Sequence, residues 1–580
     1  MHKIEKFHGG KQMKGSRVLM LLAIVSLFVL PVQLFAGGSS EAADAGTQSS
    51  GPIIVGSNSA PRTLNPLYFP SRQDSIVTNL IFDNFVEPDK EGMIVGGLAE
   101  SFSIADDGVT YTFNLAKGVT WHDGEKFDGD DVVATFEMLA HPDYSGGVDR
   151  VGQIVGVDEF KADPSVGISG IKLSADKMTV TITIKSPSAT FLPGLYFQIL
   201  PEHHIKDIDL VELEKAAFNS NPVGTGPFKF KEWKVGNSIT VEKNADYWKG
   251  EPKVDSIIVK FGELVALTTQ LQRGEIDMLE VEEEGYNTFV NDPNFVLYTY
   301  PMLSVDYVGF RTGPGRAEDT KGYAPVYSRN IRQALAYATN KEALVDGAYG
   351  VMGYEHDSIF PKHSLGDSPN DNPYTYNVAK AKSLIEGEGY VMNKATGIYE
   401  KNGKPLRIEM YYAESSAAQA AIFKEQWKAA GVDLNLKLVD FGALIDVLLR
   451  KSDANGNLAG TPGFDQSTSA TDSNFETYLL GFAQESDPQE YAQYFVDDPF
   501  WNFYHYDNAD VRKWFAEQEV ATDQTERMEI LHKISEQITE DLPWFTYAGK
   551  NETIVAGKNV GGLDPDTRGY TLNAHQWYLK

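Results

Sequence analysis

Among the 580 residues of the chain there is no cysteine. Disulfide bridges, thiolate zinc sites, iron–sulfur clusters and cysteine nucleophiles are therefore excluded, and no lipid-modified cysteine can anchor the chain. The fold must be held together by apolar packing, and a chain of this length exceeds one ordinary hydrophobic core. We therefore expect two or three separately packed lobes.

The charge balance narrows the set of partners. The chain carries 51 Lys and Arg against 81 Asp and Glu, a formal net charge of −30. Because nucleic-acid binding needs a basic face, this balance argues against a nucleic-acid partner. Hydrophobic residues make up 42% of the chain and charged residues 23%, which is typical of a globular protein rather than of a disordered one.

The N-terminus has the pattern of a secretory signal peptide. Five basic residues within the first 17 precede an apolar run over 18–30, and the small residues Gly37-Gly38-Ser39-Ser40 follow Ala36. This run is shorter than the roughly 20 residues of a membrane-spanning helix, although an uncleaved anchor is the alternative interpretation. We predict a signal peptide over 1–36, a flexible Gly/Ser-rich linker over 37–51 and an extracytoplasmic location.

Two periodicities alternate along the rest of the chain. Apolar residues at every second position predict a strand over 109–115, and the same pattern around a turn predicts a hairpin over 171–184. Asp128, in front of an apolar run, predicts an acid-capped helix. Apolar residues at helical spacing predict a helix over 525–541 and two helices that share a corner within 331–344. These patterns together predict a mixed α/β chain.

Residues 221–233, NPVGTGPFKFKEW, form the most compact motif of the chain. Gly224 and Gly226 are expected to supply free backbone torsions, and Pro227 fixes the exit into a strand. Apolar residues then alternate on both sides of a turn at 235–237, which predicts a strand pair.

The longer run VGTGPFKFKEWKVGNSITVEKNADYWKGEPKVDSIIVKF, over 223–261, resembles the signature of family 5 of the extracellular solute-binding proteins, the peptide/nickel or oligopeptide-binding class. Similar blocks occur in the family's order on both sides of this run, and together they cover nearly all of the chain after the linker. These blocks lie at Asn65-Pro66, 98–139, 271–279, 328–349, 374–390 and 510–545.

The resemblance implies an α/β fold with the two-lobed periplasmic-binding-protein architecture, type II-like, with a hinge between the lobes and an extra α+β subdomain on the first lobe. The chain would cross between the lobes near Phe310 and again near Pro543, and the lobes would close on a ligand by a hinge motion. The implied segments are lobe I over 52–83, 221–309 and 544–580, the inserted subdomain over 84–220, and lobe II over 310–543.

The same resemblance implies a function. The chain would be the extracytoplasmic substrate-binding component of an ABC importer, capturing oligopeptides in the interlobe cleft and delivering them to the transmembrane subunits of the permease. We expect a monomer without a cofactor that meets the membrane only through the permease. An oligosaccharide ligand is the alternative within the same fold and role. Because no phosphate-binding glycine loop, HExxH motif or nucleophile elbow occurs, the sequence predicts no catalytic residues and disfavours a hydrolase.

One run is predicted to hold the ligand's charged end. In peptide-binding members of the family, a second-lobe carboxylate pairs with the peptide's amino terminus within a Gly-Trp-x-x-Asp-Tyr-x-x-Pro stretch. The corresponding run here is 481–488, GFAQESDP, which is one residue shorter before the Asp-Pro pair and has Phe482 in place of the tryptophan. Glu485 then supplies the carboxylate, or Gln484 stands at that position and the charge is missing.

Aromatic residues are dense between 491 and 506. Flat aromatic faces stack on sugar rings as readily as they enclose peptide side chains, so this density, like the altered carboxylate run, favours the oligosaccharide alternative. Trp501 is the predicted ligand contact in this stretch, as Phe482 is in the run 481–488, and most neighbours of Trp501 are expected in the core. Asn65 and Arg72 are the predicted ligand contacts from the first lobe.

No metal site is predicted. His203 and His204 are the only adjacent histidines, and such a pair rarely holds an ion without further ligands. The acids over 123–131 lack the spaced ladder of a calcium loop, and residues 121–123 are interpreted as part of a tight turn. The Gly/Ser/Thr-rich stretch 452–474 is interpreted as a long surface loop, a tolerated insertion.

Overall fold

The computed structural model describes residues 51–68, 71–146, 150–313, 324–448, 475–483, 487–496, 501–502 and 504–580. The predicted signal peptide over 1–36, the linker over 37–51 apart from Gly51, and the 452–474 loop lie outside these residues. In the described part of the chain, no helix combines the length and the apolar character that a membrane crossing requires.

Strands supply the framework, and most of them belong to one large sheet. In chain order the strands are β1 (Ile53–Ser57), β2 (Val86–Pro88), β3 (Ile94–Gly96), β4 (Ala99–Ile104), β5 (Thr110–Leu115), β6 (Ile171–Leu173), β7 (Thr179–Thr183), β8 (Phe228–Lys234), β9 (Ser238–Lys243), β10 (Ser256–Phe261), β11 (Met278–Val281), β12 (Phe295–Pro301), β13 (Ser304–Phe310), β14 (Gly353–Glu355), β15 (Val391–Met392), β16 (Tyr399–Lys401), β17 (Lys404–Pro405), β18 (Arg407–Tyr412), β19 (Asp433–Leu438), β20 (Thr477–Ala483), β21 (Trp544–Gly557), β22 (Val560–Gly561) and β23 (Tyr578–Leu579).

Helices connect many of these strands, and the longest has 18 residues. In chain order the α-helices are α1 (Arg72–Ile81), α2 (Gly129–Ala140), α3 (Val157–Ala162), α4 (Phe191–Gly194), α5 (Glu202–Ile205), α6 (Leu264–Gln272), α7 (Glu283–Phe289), α8 (Arg329–Tyr337), α9 (Lys341–Ala348), α10 (Val378–Gly387), α11 (Ala417–Ala429), α12 (Phe441–Leu448), α13 (Ala492–Phe495), α14 (Ala509–Val520) and α15 (Gln524–Asp541).

The large sheet has 12 strands and divides into two halves that share β21. The first half has the order β8-β9-β10-β1-β11, in which β1 runs parallel to both β10 and β11. The second half has the order β13-β20-β18-β19, in which β18 runs parallel to β19 and β20. The early part of β21, over 544–548, pairs with β13, whereas its late part, over 553–556, pairs with β11.

The chain therefore passes between the two halves twice. It first passes through Met302 and Leu303, which join β12 of the first half to β13 of the second. It returns within β21, near Lys550. The lobe boundaries predicted at 309 and 543 remain a prediction, because the pairing of strands does not by itself delimit the lobes.

The period-two patterns over 109–115 and 171–184 correspond to strands of a separate four-stranded sheet, ordered β4-β5-β7-β6. The strand pair predicted around 235–237 is confirmed as β8 and β9 of the large sheet. Tyr111, Phe113 and Leu115 of β5 are buried while the intervening residues are not. The predicted hairpin over 171–184 is confirmed as the antiparallel pair β6 and β7. Alternation identified these strands because one face of the sheet packs on the core and the other faces solvent.

The predicted helices are also confirmed. Asp128 caps α2, and Asp131 completes the capping box by accepting from the Asp128 backbone N–H. Asn340 separates α8 from α9 and caps the second of them, which is the predicted corner. The helix predicted over 525–541 is α15, whose side chains at Leu531 and Ile534 are fully buried.

The hydrophobic cores follow the two halves of the large sheet. The four-stranded sheet shares one continuous core with the first half, so that Phe113 of β5 and Ile257 of β10 belong to the same cluster. The second half packs two clusters, one around Trp427 and one around Trp544. The region predicted as an inserted subdomain is thus fused to the first half by apolar packing.

One buried histidine makes stability depend on pH. His356, 6% exposed, uses its Nε2–H to donate to the Phe360 carbonyl at 2.6 Å. Burial lowers the pKa of His356 to about 4. The unfolded chain takes up this proton near pH 6.5, so between about pH 6.5 and 4 the unfolded state binds more protons and stability falls as the pH is lowered.

Because glutamine does not titrate, we expect the stability of His356→Gln to depend less on pH between about pH 6.5 and 4 than that of the wild type. The free energy of unfolding of the wild type, relative to that of the variant, should fall by about 3 kcal/mol between pH 7 and pH 4. Urea denaturation at a series of pH values measures it. The matched control is His363→Asn, because His363 is exposed and has a φ of 62° that asparagine tolerates. A parallel pH profile for wild type and His356→Gln would contradict the prediction.

Candidate functional site

Both halves of the large sheet direct the carboxyl ends of their parallel strands toward the places where the chain crosses. In the first half, β11 ends at Val281, which pairs with Thr553 of β21 close to the second crossing. In the second half, β20 ends at Ala483, opposite Ser304, the residue at which β13 begins after the first crossing. Ligands of open α/β sheets bind outside the carboxyl ends of the strands. The region at these two ends is therefore the candidate site.

At the first-half end, Arg72 binds two carboxylates. It is the first residue of α1, and its guanidinium donates to both carboxylate oxygens of Glu280 at 3.1 and 3.0 Å. The same group donates to Glu552 at 2.5 Å. Glu280 belongs to β11 and Glu552 to β21, so this predicted ligand contact ties the start of α1 to two strands of the sheet.

The charges around Arg72 favour a cationic rather than an anionic neighbour. Burial raises the pKa of Glu552 above its ordinary value, and the Arg72 charge offsets only part of that rise. A pocket of about 150 Å³ lies beside the cluster and is lined by Ser57, Arg72, Glu280 and Tyr570, among others. Because Arg72 is already paired with two acids, its role as a direct ligand contact stays a prediction.

At the second-half end, the central feature is a buried carboxylate. Asp306 of β13 is 6% exposed, and its Oδ2 accepts no hydrogen bond from the described residues. The nearest cation is Lys550, whose Nζ lies 3.6 Å from that oxygen. Burial raises the pKa of Asp306, and the Lys550 charge offsets only part of the rise. A buried carboxylate with spare acceptor capacity can receive an ammonium group.

Gly481 of β20 makes room for this carboxylate. It is the cross-strand partner of Asp306, and a Cβ at this position would lie 1.6 Å from the Asp306 Oδ1. Gly481 itself is exposed. The first residue of the predicted run 481–488 therefore needs to be glycine because a carboxylate from the neighbouring strand occupies the place of its side chain.

The two aromatic candidates lie in one cluster. Phe482 stacks on Tyr307 with ring centroids 5.7 Å apart and an angle of 26° between the rings, and it also contacts Tyr494. Trp501 meets Tyr494 edge-on at 6.0 Å. Both Phe482 and Trp501 are half-buried, whereas Trp544 beneath them is fully buried. The structure thus brings these two predicted residues together on the outer side of an aromatic core.

The other two predicted contacts in the run 481–488, Gln484 and Glu485, lie outside the described residues. The segment that contains them joins Ala483 at the end of β20 to Asp487, and Asp487 is held firmly. Its carboxylate accepts two hydrogen bonds from Arg527 of α15, at 2.7 and 3.0 Å. Both flanks of the segment are therefore fixed at the second-half end of the candidate site.

Asn65 is the remaining candidate, and its side-chain amide makes hydrogen bonds within the protein. It is fully buried, its amide nitrogen donates to the Asn219 side chain at 3.1 Å, and its amide oxygen accepts from the Leu67 backbone at 3.0 Å. These bonds fix the loop before α1. The structure does not present this side chain to a ligand, a difference that arises because an Asn-Pro turn needs the amide for its own backbone.

The motif around Gly224 serves assembly of the fold. Asp83, buried at the end of α1, accepts hydrogen bonds from the Thr225 hydroxyl at 3.0 Å, from Tyr247 at 2.9 Å and from the Trp248 indole at 2.9 Å. One carboxylate thereby joins two parts of the 223–261 run, at Thr225 and at Tyr247-Trp248, to the segment after α1. The sequence block with the clearest family resemblance thus serves to hold parts of the fold together.

The two glycines of this motif have a different role from the one predicted. Neither has a positive φ. A Cβ on Gly224 would lie 1.9 Å from the Ile81 carbonyl oxygen, and one on Gly226 would lie 2.6 Å from the Ile81 carbonyl carbon. The expectation of free backbone torsions is therefore wrong, because it is the close approach of the α1 terminus that requires glycine here.

No sequence pattern marks Asp306, Glu280 or Glu552 as site residues. Asp306 lies within a strand whose seven residues are all buried, and nothing in the local pattern distinguishes its side chain from a satisfied polar residue. Glu280 and Glu552 are separated by nearly half of the chain. Strand pairing across β21 is the information that would have brought them together.

Two sheet halves joined by two crossings, with strand ends that meet at those crossings, define a two-lobed binding protein that holds a ligand between its lobes. The chain belongs to the bacterial extracellular solute-binding proteins, family 5, whose family model matches residues 93–503. This is a family of binding proteins rather than of enzymes.

Comparisons with individual proteins agree with this assignment. The oligopeptide-binding protein AppA of Bacillus subtilis is 26% identical over 581 residues, which cover 97% of this chain and 98% of AppA. The dipeptide-binding protein of Escherichia coli is 25% identical over 408 residues, which cover 67% of this chain and 72% of that protein.

Solved structures show the same two-lobed fold. The ABC transporter substrate-binding protein CtaP of Listeria monocytogenes superposes with a TM-score of 0.70 at 26% identity, covering 91% of this chain and 99% of CtaP. AppA of Bacillus subtilis, solved in complex with a nonapeptide, superposes with a TM-score of 0.57 at 24% identity, covering 92% of this chain and 99% of AppA. The predicted fold class is confirmed.

Proposed function

We propose that this protein is the extracytoplasmic substrate-binding component of an ABC importer, and that it captures peptides between its two lobes. The observation that carries the proposal is the match to relatives named for oligopeptide and dipeptide binding, one of them over 97% of the chain. These relatives favour a peptide over the oligosaccharide alternative. The leader over 1–36 would direct export, and the loaded monomer would deliver its ligand to the permease.

The geometry of the second-half end supports a peptide ligand. A peptide brings an ammonium group, and we expect two carboxylates to receive it: Glu485, from its position in the sequence, and Asp306, from its burial beside Gly481. Aromatic rings at Phe482 and Trp501 lie beside this end and would pack against the first side chains of the peptide. A charged group next to an aromatic wall is the arrangement that a peptide's first residue requires.

Mass spectrometry can identify the ligand that the protein carries. The protein is purified without refolding and examined by native mass spectrometry, and the bound material is then released under denaturing conditions. A set of peptide masses supports the proposal. Hexose or pentose increments would overturn the peptide assignment while leaving the importer role, and chemical turnover of the released compound would overturn the binding-protein role.

The carboxylate assignment is tested by substitution. We expect Glu485→Gln and Asp306→Asn each to weaken binding of a peptide with a free amino terminus at least tenfold, because each removes a charge partner of the ammonium group. Isothermal titration calorimetry measures the affinity, and the same peptide with an acetylated amino terminus is the control. Two results together would contradict the assignment. The wild type would bind the acetylated peptide as tightly as the peptide with a free amino terminus, and both variants would bind the free peptide as tightly as the wild type does. Neither carboxylate would then receive the ammonium group.

A further inference from the structure

Two adjacent histidines and one carboxylate converge in the region of the four-stranded sheet, away from the site described above. Asp123 lies in the tight turn after Trp121, and His203 and His204 lie in α5. The Asp123 Oδ2 is 2.8 Å from the Nε2 of His203 and 2.9 Å from the Nε2 of His204. All three side chains are about one-third exposed, so an ion can reach them from solvent.

The convergence is built into the fold. Trp121, which is buried, donates its indole N–H to the Asp131 Oδ2 at 3.2 Å, and this fixes the turn that carries Asp123. The other oxygen of Asp131 accepts the Glu202 backbone N–H at 2.8 Å, and this fixes the first turn of α5. A single buried carboxylate therefore holds both parts of the cluster, which come from positions about 80 residues apart in the chain.

Further contacts orient the individual groups. The second oxygen of Asp123 accepts the Glu125 backbone N–H at 3.3 Å, so Oδ2 is the oxygen left to face the histidines. The His203 ring packs edge-on against Trp121 at 6.5 Å, and the His204 ring lies 6.3 Å from Phe218. Each of the three groups thus keeps its orientation through contacts outside the cluster.

We propose that Asp123, His203 and His204 form a binding site for a divalent transition-metal ion such as Zn²⁺, Ni²⁺ or Cu²⁺. Imidazole nitrogen together with carboxylate oxygen is a donor set that these ions favour. Zinc binds such donors at about 2.0–2.2 Å in a tetrahedral arrangement, which separates neighbouring donors by about 3.3 Å. The present hydrogen-bonded separations need to open by only about 0.5 Å to reach that spacing.

Three protein ligands leave one tetrahedral position for water or for another ligand. The net charge of −30 favours the approach of a cation. In the sequence the histidine pair has no evident further ligand, and in the structure the turn that carries Asp123 supplies one. The proposal is independent of the peptide-binding function, because the three residues share no hydrogen bond or ion pair with the described residues of the candidate site.

The experiment uses the full chain after treatment with a chelator and buffer exchange. ZnCl₂, NiCl₂ and CuCl₂ are titrated separately by calorimetry. We expect one site with micromolar or tighter affinity for at least one of these ions. His204→Ala and Asp123→Asn should each weaken that affinity at least tenfold, while peptide affinity stays at the wild-type value. The matched control is His141→Ala, which removes the histidine of another His–Asp pair in the same region and should change neither value.

A spectroscopic measurement identifies the ligands independently of affinity. Electron paramagnetic resonance of the Cu²⁺-loaded wild type should show coupling to two imidazole nitrogens, and His204→Ala should show coupling to one. Circular dichroism of each variant confirms that it is folded. The proposal is overturned if no ion binds below millimolar concentration, or if the double variant His203→Ala/His204→Ala binds with wild-type affinity and stoichiometry.

Discussion

Gly224→Ala is expected to destabilise the protein by about 3 kcal/mol or more, an overpacking cost at the upper end of the usual range. The added Cβ would lie 1.9 Å from the Ile81 carbonyl oxygen, which is backbone and cannot rotate away. The glycine cannot shift either, because its carbonyl accepts the His122 backbone N–H at 2.9 Å and its N–H donates to the His122 Nδ1 at 3.2 Å. The strain has to be absorbed where α1 meets the 223–261 run.

Urea denaturation and thermal melting measure this loss. The matched control is Gly387→Ala in α10, where an added Cβ meets no atom within 4 Å. Alanine is the better helix former, so this control should leave stability unchanged or raise it slightly. A melting temperature for Gly224→Ala within a degree of the wild type would show that the α1 terminus can move, and the close approach would then not explain the glycine.

The second large effect is expected at Arg527. Its side chain is 3% exposed and donates to both oxygens of Asp487, to the Gln518 side chain and to the Ala189 carbonyl. Arg527→Met leaves these acceptors without their donor and leaves Asp487 without its cation. Breaking a buried ion pair in this way costs about 3–5 kcal/mol. We also expect weaker peptide binding, because Asp487 would no longer anchor the segment that carries Glu485.

Two further variants test whether the loss of stability comes from breaking the buried ion pair. Lys513→Ala removes an exposed ion pair with Glu517 on the neighbouring helix and should cost less than about 0.5 kcal/mol. The double variant Arg527→Met/Asp487→Leu should recover part of the stability lost in Arg527→Met, since it removes the uncompensated carboxylate. If Arg527→Met unfolds at the wild-type urea concentration, the ion pair contributes nothing to the fold.

Much of this architecture could be predicted because local chemistry decides it. The alternation in β5, the Asp128 capping box of α2 and the Asn340 corner between α8 and α9 each follow from residues within a few positions of one another. The family resemblance then supplied the arrangement of the lobes, which local patterns do not contain. Its ordered blocks were sufficient for the fold class.

The candidate site was less predictable, because its groups meet only through long-range pairing. Asp306 lies within an entirely buried strand, and its importance depends on the glycine opposite it in β20. The passage from one half of the large sheet to the other within β21 leaves no mark on the sequence, since the strand continues through it. Asp123 and the two histidines of α5 are likewise brought together by Asp131, which the sequence identified only as part of a helix cap.

The shared strand β21 has a consequence for biosynthesis. The first half of the large sheet starts at β1, near the beginning of the described chain, yet β11 and β12 pair with residues of β21 beyond position 550. Trp577, fully buried in the same core, is made later still. The half of the protein that is synthesised first is therefore completed last, and the chain stays incompletely folded until its synthesis is almost finished. The large sheet therefore cannot be completed before the last strands of the chain have left the ribosome.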